Sequence, residues 1–196
     1  MEKLLVQEEI LDLVDENDQV IGSAPRSEIY KWAMDLSQAE TKDVGIDSHS
    51  QMYFRKSIFA QIRGVWLFLV NSKGELWIFR RSASKKICPL YLEGSAVGHV
   101  SSGESYEEAV IRETQEELNL DLRGLDFRFR AHLSPFKDGS LSFLKIYELK
   151  TDKAPDFSPD EFQEGYWLKP EKVLEMIESG DKCKFGLPLI IKKLYL

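Results

Sequence analysis

Glu113, Glu116 and Glu117 stand three and four residues apart in a stretch with helical periodicity. Advancing about 100° per residue places their carboxylates within an arc of about 100° on one side of a helix. Val110, Ile111, Thr114 and Leu118 take the adjoining arc, which must face a core. The three acids therefore run along the edge of the buried stripe rather than along the outer face. Like charges at this spacing cost roughly a few tenths of a kcal/mol each when solvated, and more beside a low-dielectric interior. A positive partner should offset that cost, and clustered carboxylate oxygens suit hard divalent cations such as Mg²⁺ or Mn²⁺. Helix geometry alone leaves a second reading open, a solvated acidic face neutralised by Arg112 and nearby lysines.

The elements around these acids follow from pattern. The acidic helix is predicted over residues 106–118, opened by an S-x-x-E capping box at Ser105 and Glu108. Residues 58–70 read as a long strand, Asn71-Ser72-Lys73-Gly74 as a turn, and residues 76–80 as the returning partner strand. Further strands are expected at 127–133, 141–149 and near 165–168, with a turn at Lys137-Asp138-Gly139. Upstream, residues 11–26 read as a hairpin about Asp15-Glu16-Asn17-Asp18, followed by a helix from about Ser27. Residues 37–51 are polar, carry neither period and read as a loop or insertion. A helix after Pro170 and a short amphipathic helix complete the pattern. Strands in hairpins with few helices indicate the α+β class.

Composition narrows the function classes. The 196 residues suit one domain, with a hairpin and helix extension over about 1–50 and a helical segment over about 170–196. The longest apolar run, Val65-Trp66-Leu67-Phe68-Leu69-Val70, is far short of the ~20 residues of a membrane span. The first residues, Met1 to Glu9, show no basic region ahead of an apolar stretch, so a signal peptide is not expected. A net charge of −7 argues against a nucleic acid polymer as partner. Cys88 and Cys183 have neither metal-ligand nor redox-pair spacing and read as unpaired thiols, which makes the cytoplasm the expected compartment.

The spacing upstream of the helix adds a resemblance. Gly98, Glu104 and then Arg112-Glu113-Thr114-Gln115-Glu116-Glu117-Leu118-Asn119-Leu120 resemble the Nudix box, G-x5-E-x7-R-E-U-x-E-E-x-G-U, where U is aliphatic. All its glycine and charged positions match except the late glycine, replaced by Asn119, and Thr114 replaces an aliphatic residue. Asparagine is the residue after glycine that best tolerates a left-handed helix end. Asp12 to Gly22, Asn71 to Glu75 and Arg80 to Lys86 look like the Nudix branch containing isopentenyl-diphosphate isomerase and its hydrolase relatives.

The resemblance implies the Nudix fold, mixed β-sheets between α-helices, and Mg²⁺-dependent hydrolysis of a small-molecule diphosphate joined to another group. It implies that Glu113, Glu116 and Glu117 hold the metal with the Gly98 carbonyl, and that Glu104 supports the site through Arg112 or a metal-bound water. Arg112 is read as an ion-pair strut in preference to a substrate contact. Arg81 and Lys86 are candidates to grip diphosphate oxygens, with ordinary surface charge as the rival. Family members recruit a base from outside the box, which makes Asp160, Glu161 and Glu164 candidates, Glu161 first. Tyr53, Phe54, Trp66, Trp77, Phe79 and Trp167 are assigned to no ligand, because alternating strand aromatics are usually core. Dimers are common among such domains, so a homodimer is compatible with the reading.

Two other functions are weighed. The isomerase carries a catalytic cysteine immediately before the pair matching Gly98-His99, where this chain has Val97, and a metal-binding histidine where alignment puts Ile62. A Nudix-fold binding module without catalysis would be expected to lose acids from the box, and none is lost.

Overall fold

The computed structural model describes residues 8–39 and 58–196. Tyr53 and Phe54 lie outside them, as does most of the 37–51 segment.

The chain opens with β1 (Ile10–Val14) and β2 (Val20–Pro25), an antiparallel pair, followed by α1 (Arg26–Ala39). Helix α1 therefore runs through residues 37–39, where the polar sequence suggested a loop. Asp15 closes the hairpin turn, its Oδ1 accepting the Asn17 and Gln19 N–H groups at 2.8 and 2.9 Å. The hairpin docks onto the remainder through Arg63 Nε, which donates to Asp18 Oδ1 at 2.6 Å, and through Ser102 Oγ, which donates to Asp12 Oδ1 at 2.6 Å.

The strand expected from residue 58 begins later, as β3 (Arg63–Val70). Residues 58–62 instead form a helical turn closed by Gln61 N–H to the Ile58 carbonyl at 3.1 Å. Their apolar side chains serve the hairpin: Ile62 is buried with Leu11, Ala24 and Ile29, and Ile58 and Phe59 pack against that cluster. An apolar run without alternation does not distinguish such a packing turn from a strand buried on both faces.

After β3 come β4 (Leu76–Arg81), β5 (Leu92–Glu93), β6 (Ala96–His99), α2 (Tyr106–Leu118), β7 (Phe127–Leu133), β8 (Phe143–Lys150) and β9 (Phe162–Leu168). Helices α3 (Pro170–Glu178) and α4 (Gly186–Leu194) follow. The main sheet runs β5-β4-β3-β8-β7, with β6 also on β3 and β9 also on β4. The expected β3–β4 hairpin is reduced to a single pair, Val70 with Leu76. Beyond it the strands part: β3 lies parallel to β8 along its whole length and antiparallel to β6, while β4 pairs with β9.

Strand β3 is central and buried on both faces, which explains its continuous apolar sequence. Val65, Leu67 and Leu69 face the core under α2, and Trp66, Phe68 and Val70 face the core under α3 and α4. Helix α2 starts at the expected capping box: Glu108 N–H donates to Ser105 Oγ at 3.2 Å, and Ser105 N–H donates to Glu108 Oε2 at 2.9 Å. It ends at Asn119, whose φ of 49° is left-handed, the conformation that the usual glycine would supply. Thr114 is fully buried, and its hydroxyl donates back to the Val110 carbonyl at 2.6 Å, which satisfies the polar atom where an aliphatic side chain was expected.

Candidate active site

Helix α2 lays its acidic edge against β6, and the contact point is Gly98. A Cβ at that position would overlap Cδ and Oε1 of Glu113, well inside the 3.0 Å that real Cβ atoms respect. The glycine is therefore required by close approach, since the carboxylate occupies the space of its missing side chain. One residue earlier, the Val97 N–H donates to Glu117 Oε2 at 3.0 Å. Glu113 and Glu117 are both buried, at 9% and 7% exposure, whereas the Glu116 side chain is 59% exposed. The helix edge read from sequence thus holds two sheltered acids and one outer acid.

Burial dominates their electrostatics. It pushes the Glu113 carboxyl up to about 7, against the lowering influence of Arg112. Glu117 lies well above the ordinary carboxylate range, through burial first and then the charges of Glu93 and Glu113. Arg112 offsets part of this. Its Nε and Nη2 donate to the two oxygens of Glu104, each at 2.9 Å, in a bidentate pair. Its Nη1 donates to Glu113 Oε1 at 2.7 Å and approaches Glu116 Oε2 at 3.4 Å, and Nη2 also reaches the His99 carbonyl at 2.9 Å. Glu104 accepts the Ser101 N–H at 3.0 Å as well, so its carboxylate is engaged within the protein.

The basic loop after β4 divides into different roles. Arg81 is buried: its Nη1 donates to Glu93 Oε1 at 2.7 Å, and Nε and Nη2 donate to the Cys88 and Ile87 carbonyls at 3.1 and 3.2 Å. Lys86 is exposed. Lys85 forms an ion pair with Glu161, and Glu164 pairs with Arg80 Nε at 3.0 Å. Trp66, Trp77 and Phe79 are core residues. Sequence reasoning passed over Glu93, which is fully buried between Arg81 and Lys184, because it belongs to no motif.

A cavity of about 410 Å³ opens beside Gly98. Its walls include Ala33 of α1, Ile62, Trp66 of β3, Val97 of β6 and Leu144 of β8. His99, given no role by the sequence analysis, lines it too, with the Tyr30 hydroxyl 3.4 Å from its Nε2. Burial, with Arg26, Lys184 and Arg112 nearby, holds the His99 imidazole down to about 3, so it is neutral.

Among the described residues, no three acidic, histidine or cysteine side chains converge closely enough to hold a metal ion as they stand. The donor chemistry nevertheless fits a hard divalent cation: two buried carboxylates with raised proton affinity and a third beside them offer oxygen alone. No helix among the described residues is long and apolar enough to cross a membrane.

The NUDIX domain profile matches residues 60–185, which span the whole arrangement from β3 to the loop before α4. The chain belongs to the Nudix family. An uncharacterized Nudix hydrolase of Nostoc sp. is 40% identical to this Nudix chain over 187 residues, covering 95% of it and 96% of the relative. The crystal structure of a Deinococcus radiodurans protein superposes with a TM-score of 0.77 at 37% identity, covering 96% of this chain and 100% of that one. An isopentenyl-diphosphate Δ-isomerase of Citrobacter koseri is 34% identical over 120 residues, 59% of this chain and 65% of its own length. The α+β fold is accordingly the Nudix fold, with isomerase-like relatives in its neighbourhood.

Proposed function

We propose that this Nudix hydrolase cleaves a small-molecule diphosphate joined to another group, with Mg²⁺ or Mn²⁺ held by Glu113, Glu116, Glu117 and the Gly98 carbonyl. The observation that carries the reading is the pair of buried carboxylates, Glu113 and Glu117, pressed against a side-chain-free position of β6 beside a cavity. Two sheltered like charges with raised proton affinity are costly unless a cation joins them. When bound, a divalent ion offsets phosphate charge and acidifies an attacking water. Arg112 and Glu104 position Glu113 rather than meeting substrate, since the guanidinium spans Glu104, Glu113 and the His99 carbonyl.

Of the two basic candidates, Lys86 is the proposed direct contact to diphosphate oxygens, being exposed on the loop. Arg81 acts through the loop, whose carbonyls at Ile87 and Cys88 it holds. Glu161 is the proposed base and must first leave Lys85. The extension and the last helical segment work with the sheet as one domain, because the cavity takes walls from α1 and from Gly186 at the start of α4. Two free cysteines support a cytoplasmic setting.

Isomerisation has no group to perform it at the positions compared. Val97 and Ile62, where the isomerase carries cysteine and histidine, are both apolar cavity walls. The decisive experiment is turnover of a diphosphate panel with Mg²⁺ in heavy-oxygen water. One labelled oxygen should enter one product phosphate per turnover, and Glu117→Gln should abolish most of that activity while the fold persists. Full activity in Glu117→Gln with normal metal dependence would overturn the assignment, and metal-independent silence across the panel would favour a binding module.

A further inference from the structure

We propose that Lys184 is a substrate-binding residue, its ammonium donating to a non-bridging oxygen of the diphosphate inside the cavity beside Gly98. The inference rests on the hydrolase reading and adds to it a phosphate contact from the last part of the chain, away from both the acidic helix and the basic loop. The backbone holds this residue firmly. Residues 182–184 lie along β5: the Leu92 N–H donates to the Lys182 carbonyl and the Lys184 N–H donates to the Leu92 carbonyl, both at 2.8 Å. The Lys184 carbonyl then accepts the Leu187 N–H at 3.0 Å, which ties it to the start of α4. From this fixed point the side chain, 23% exposed, lines the cavity that Gly98 also lines.

The charges around it do not balance. Among the described residues that line the cavity, Lys184 alone carries a formal charge, since His99 is neutral. Its ion-pair partner among the described residues is the fully buried Glu93, but Arg81 Nη1 already donates to Oε1 of that carboxylate at 2.7 Å. One carboxylate therefore faces two cations. Arg81 is bound to stay, because its Nε and Nη2 hold the Cys88 and Ile87 carbonyls. The approach of Lys184 to Glu93 Oε2 is one of charge alone, as that oxygen accepts no hydrogen bond. An ammonium has three N–H donors, so Lys184 keeps donors for a further acceptor.

An anion is the acceptor this position favours. The walls nearby, among them Trp66, Val97 and Leu144, are apolar, and an unmatched positive charge in such surroundings attracts an anion more strongly than it would on the open surface. Lys184 also stands close enough to the acids to act on them: its charge works against the rise that burial and Glu93 impose on Glu117. A phosphate that meets Lys184 is accordingly within reach of the acidic edge and of Gly98. Lysine serves such a group as a point charge, with no need for the paired geometry of an arginine.

The test titrates the full chain calorimetrically with two probes, methylenediphosphonate in saturating Mg²⁺ and, separately, Mn²⁺ alone. Lys184→Met and Lys184→Gln remove the charge and keep most of the stem, and Arg81 remains on Glu93, so both variants should fold. Methylenediphosphonate should bind about tenfold more weakly to each, the usual effect of losing one hydrogen bond to a charged group. Mn²⁺ should bind at least as tightly as before, because a positive neighbour of Glu117 has gone. A site merely loosened by the substitution would lose affinity for both probes. Lys184→Arg should bind the diphosphonate better than Lys184→Met does. Unchanged diphosphonate affinity in the folded variants would mean that Lys184 is only a counter-ion to Glu93, and overturns the assignment with hydrolysis intact. Equal weakening of both probes, no gain in Lys184→Arg, or no diphosphonate binding by the unaltered protein overturns it as well. Lysine-dependent diphosphonate binding with no turnover of any diphosphate removes the hydrolase reading and leaves the Lys184 contact standing.

Discussion

Replacing Gly98 by alanine separates the cost of a clash from the cost of a misplaced ligand. The added methyl would land on Glu113 Cδ and Oε1, so the carboxylate would have to retreat by roughly 1.5 Å to restore ordinary contact. Gly98 is not among the residues with positive φ, so alanine meets no backbone penalty. The obstructing atoms are the far end of a flexible side chain, which places the stability loss near the lower end of the ~1–3 kcal/mol seen for overpacking. For a domain of this size that corresponds to a fall in Tm of about 2–6 °C. Function should suffer more. Glu113 is displaced from its 2.7 Å contact with Arg112 and from β6, and disturbing the orientation of a metal ligand typically costs about 10–100-fold in metal affinity or activity. Thermal melts, Mn²⁺ titration calorimetry and turnover at saturating Mg²⁺ measure the three quantities. Unchanged Mn²⁺ affinity and turnover in a folded Gly98→Ala protein would refute the reasoning. So would a loss above about 5 kcal/mol, because the carboxylate would then have proved unable to yield.

Arg112→Ala removes the bidentate partner of Glu104 and should cost about 2–3 kcal/mol together with weaker metal binding. KM at saturating metal should barely move; a large rise would mean that the guanidinium meets substrate. Metal-free protein should lose stability as pH rises from 4.5 towards about 7, because burial lets folded Glu113 keep its proton longer than the unfolded chain does. Below 4.5 both states are protonated and this penalty vanishes, so urea melts across the interval read it directly. Glu117, raised in the same direction, adds to the slope, and Glu117→Gln should flatten it and stabilise the metal-free protein above pH 7. A steeper slope in that variant would reverse the sign of the argument. Val97→Cys should not create an isomerase, since Ile62 still offers no metal ligand; deuterium entering isopentenyl diphosphate carbon in heavy water would contradict this.

Local interactions were legible from the residues alone. The capping box at Ser105 and Glu108, the left-handed end at Asn119 and the common edge of Glu113 and Glu117 all depend on neighbours within one or two helical turns. The Nudix spacing could be read for the same reason: its fixed positions serve one strand, one loop and one helix in close succession. The polar 37–39 stretch misled because α1 continues through it, and the apolar 58–62 stretch misled because its packing duty is to a distant hairpin.

What the sequence determined by itself was an acidic helix edge and the family. Tertiary structure alone decided which acids are sheltered, because only the docking of α2 on β6 puts Glu113 into the space at Gly98 and Glu117 on the Val97 N–H. It alone turned Arg81 inward, since Glu93 and the Ile87 and Cys88 carbonyls are brought to it by strand pairing and a folded loop. The cavity is decided there too. Ala33, Trp66, Val97, Leu144 and Gly186 lie far apart in the chain, and no spacing rule links them. They meet because β3, apolar on both faces, accepts β6 and β8 as neighbours, a choice set by packing across the whole sheet and not by any local pattern.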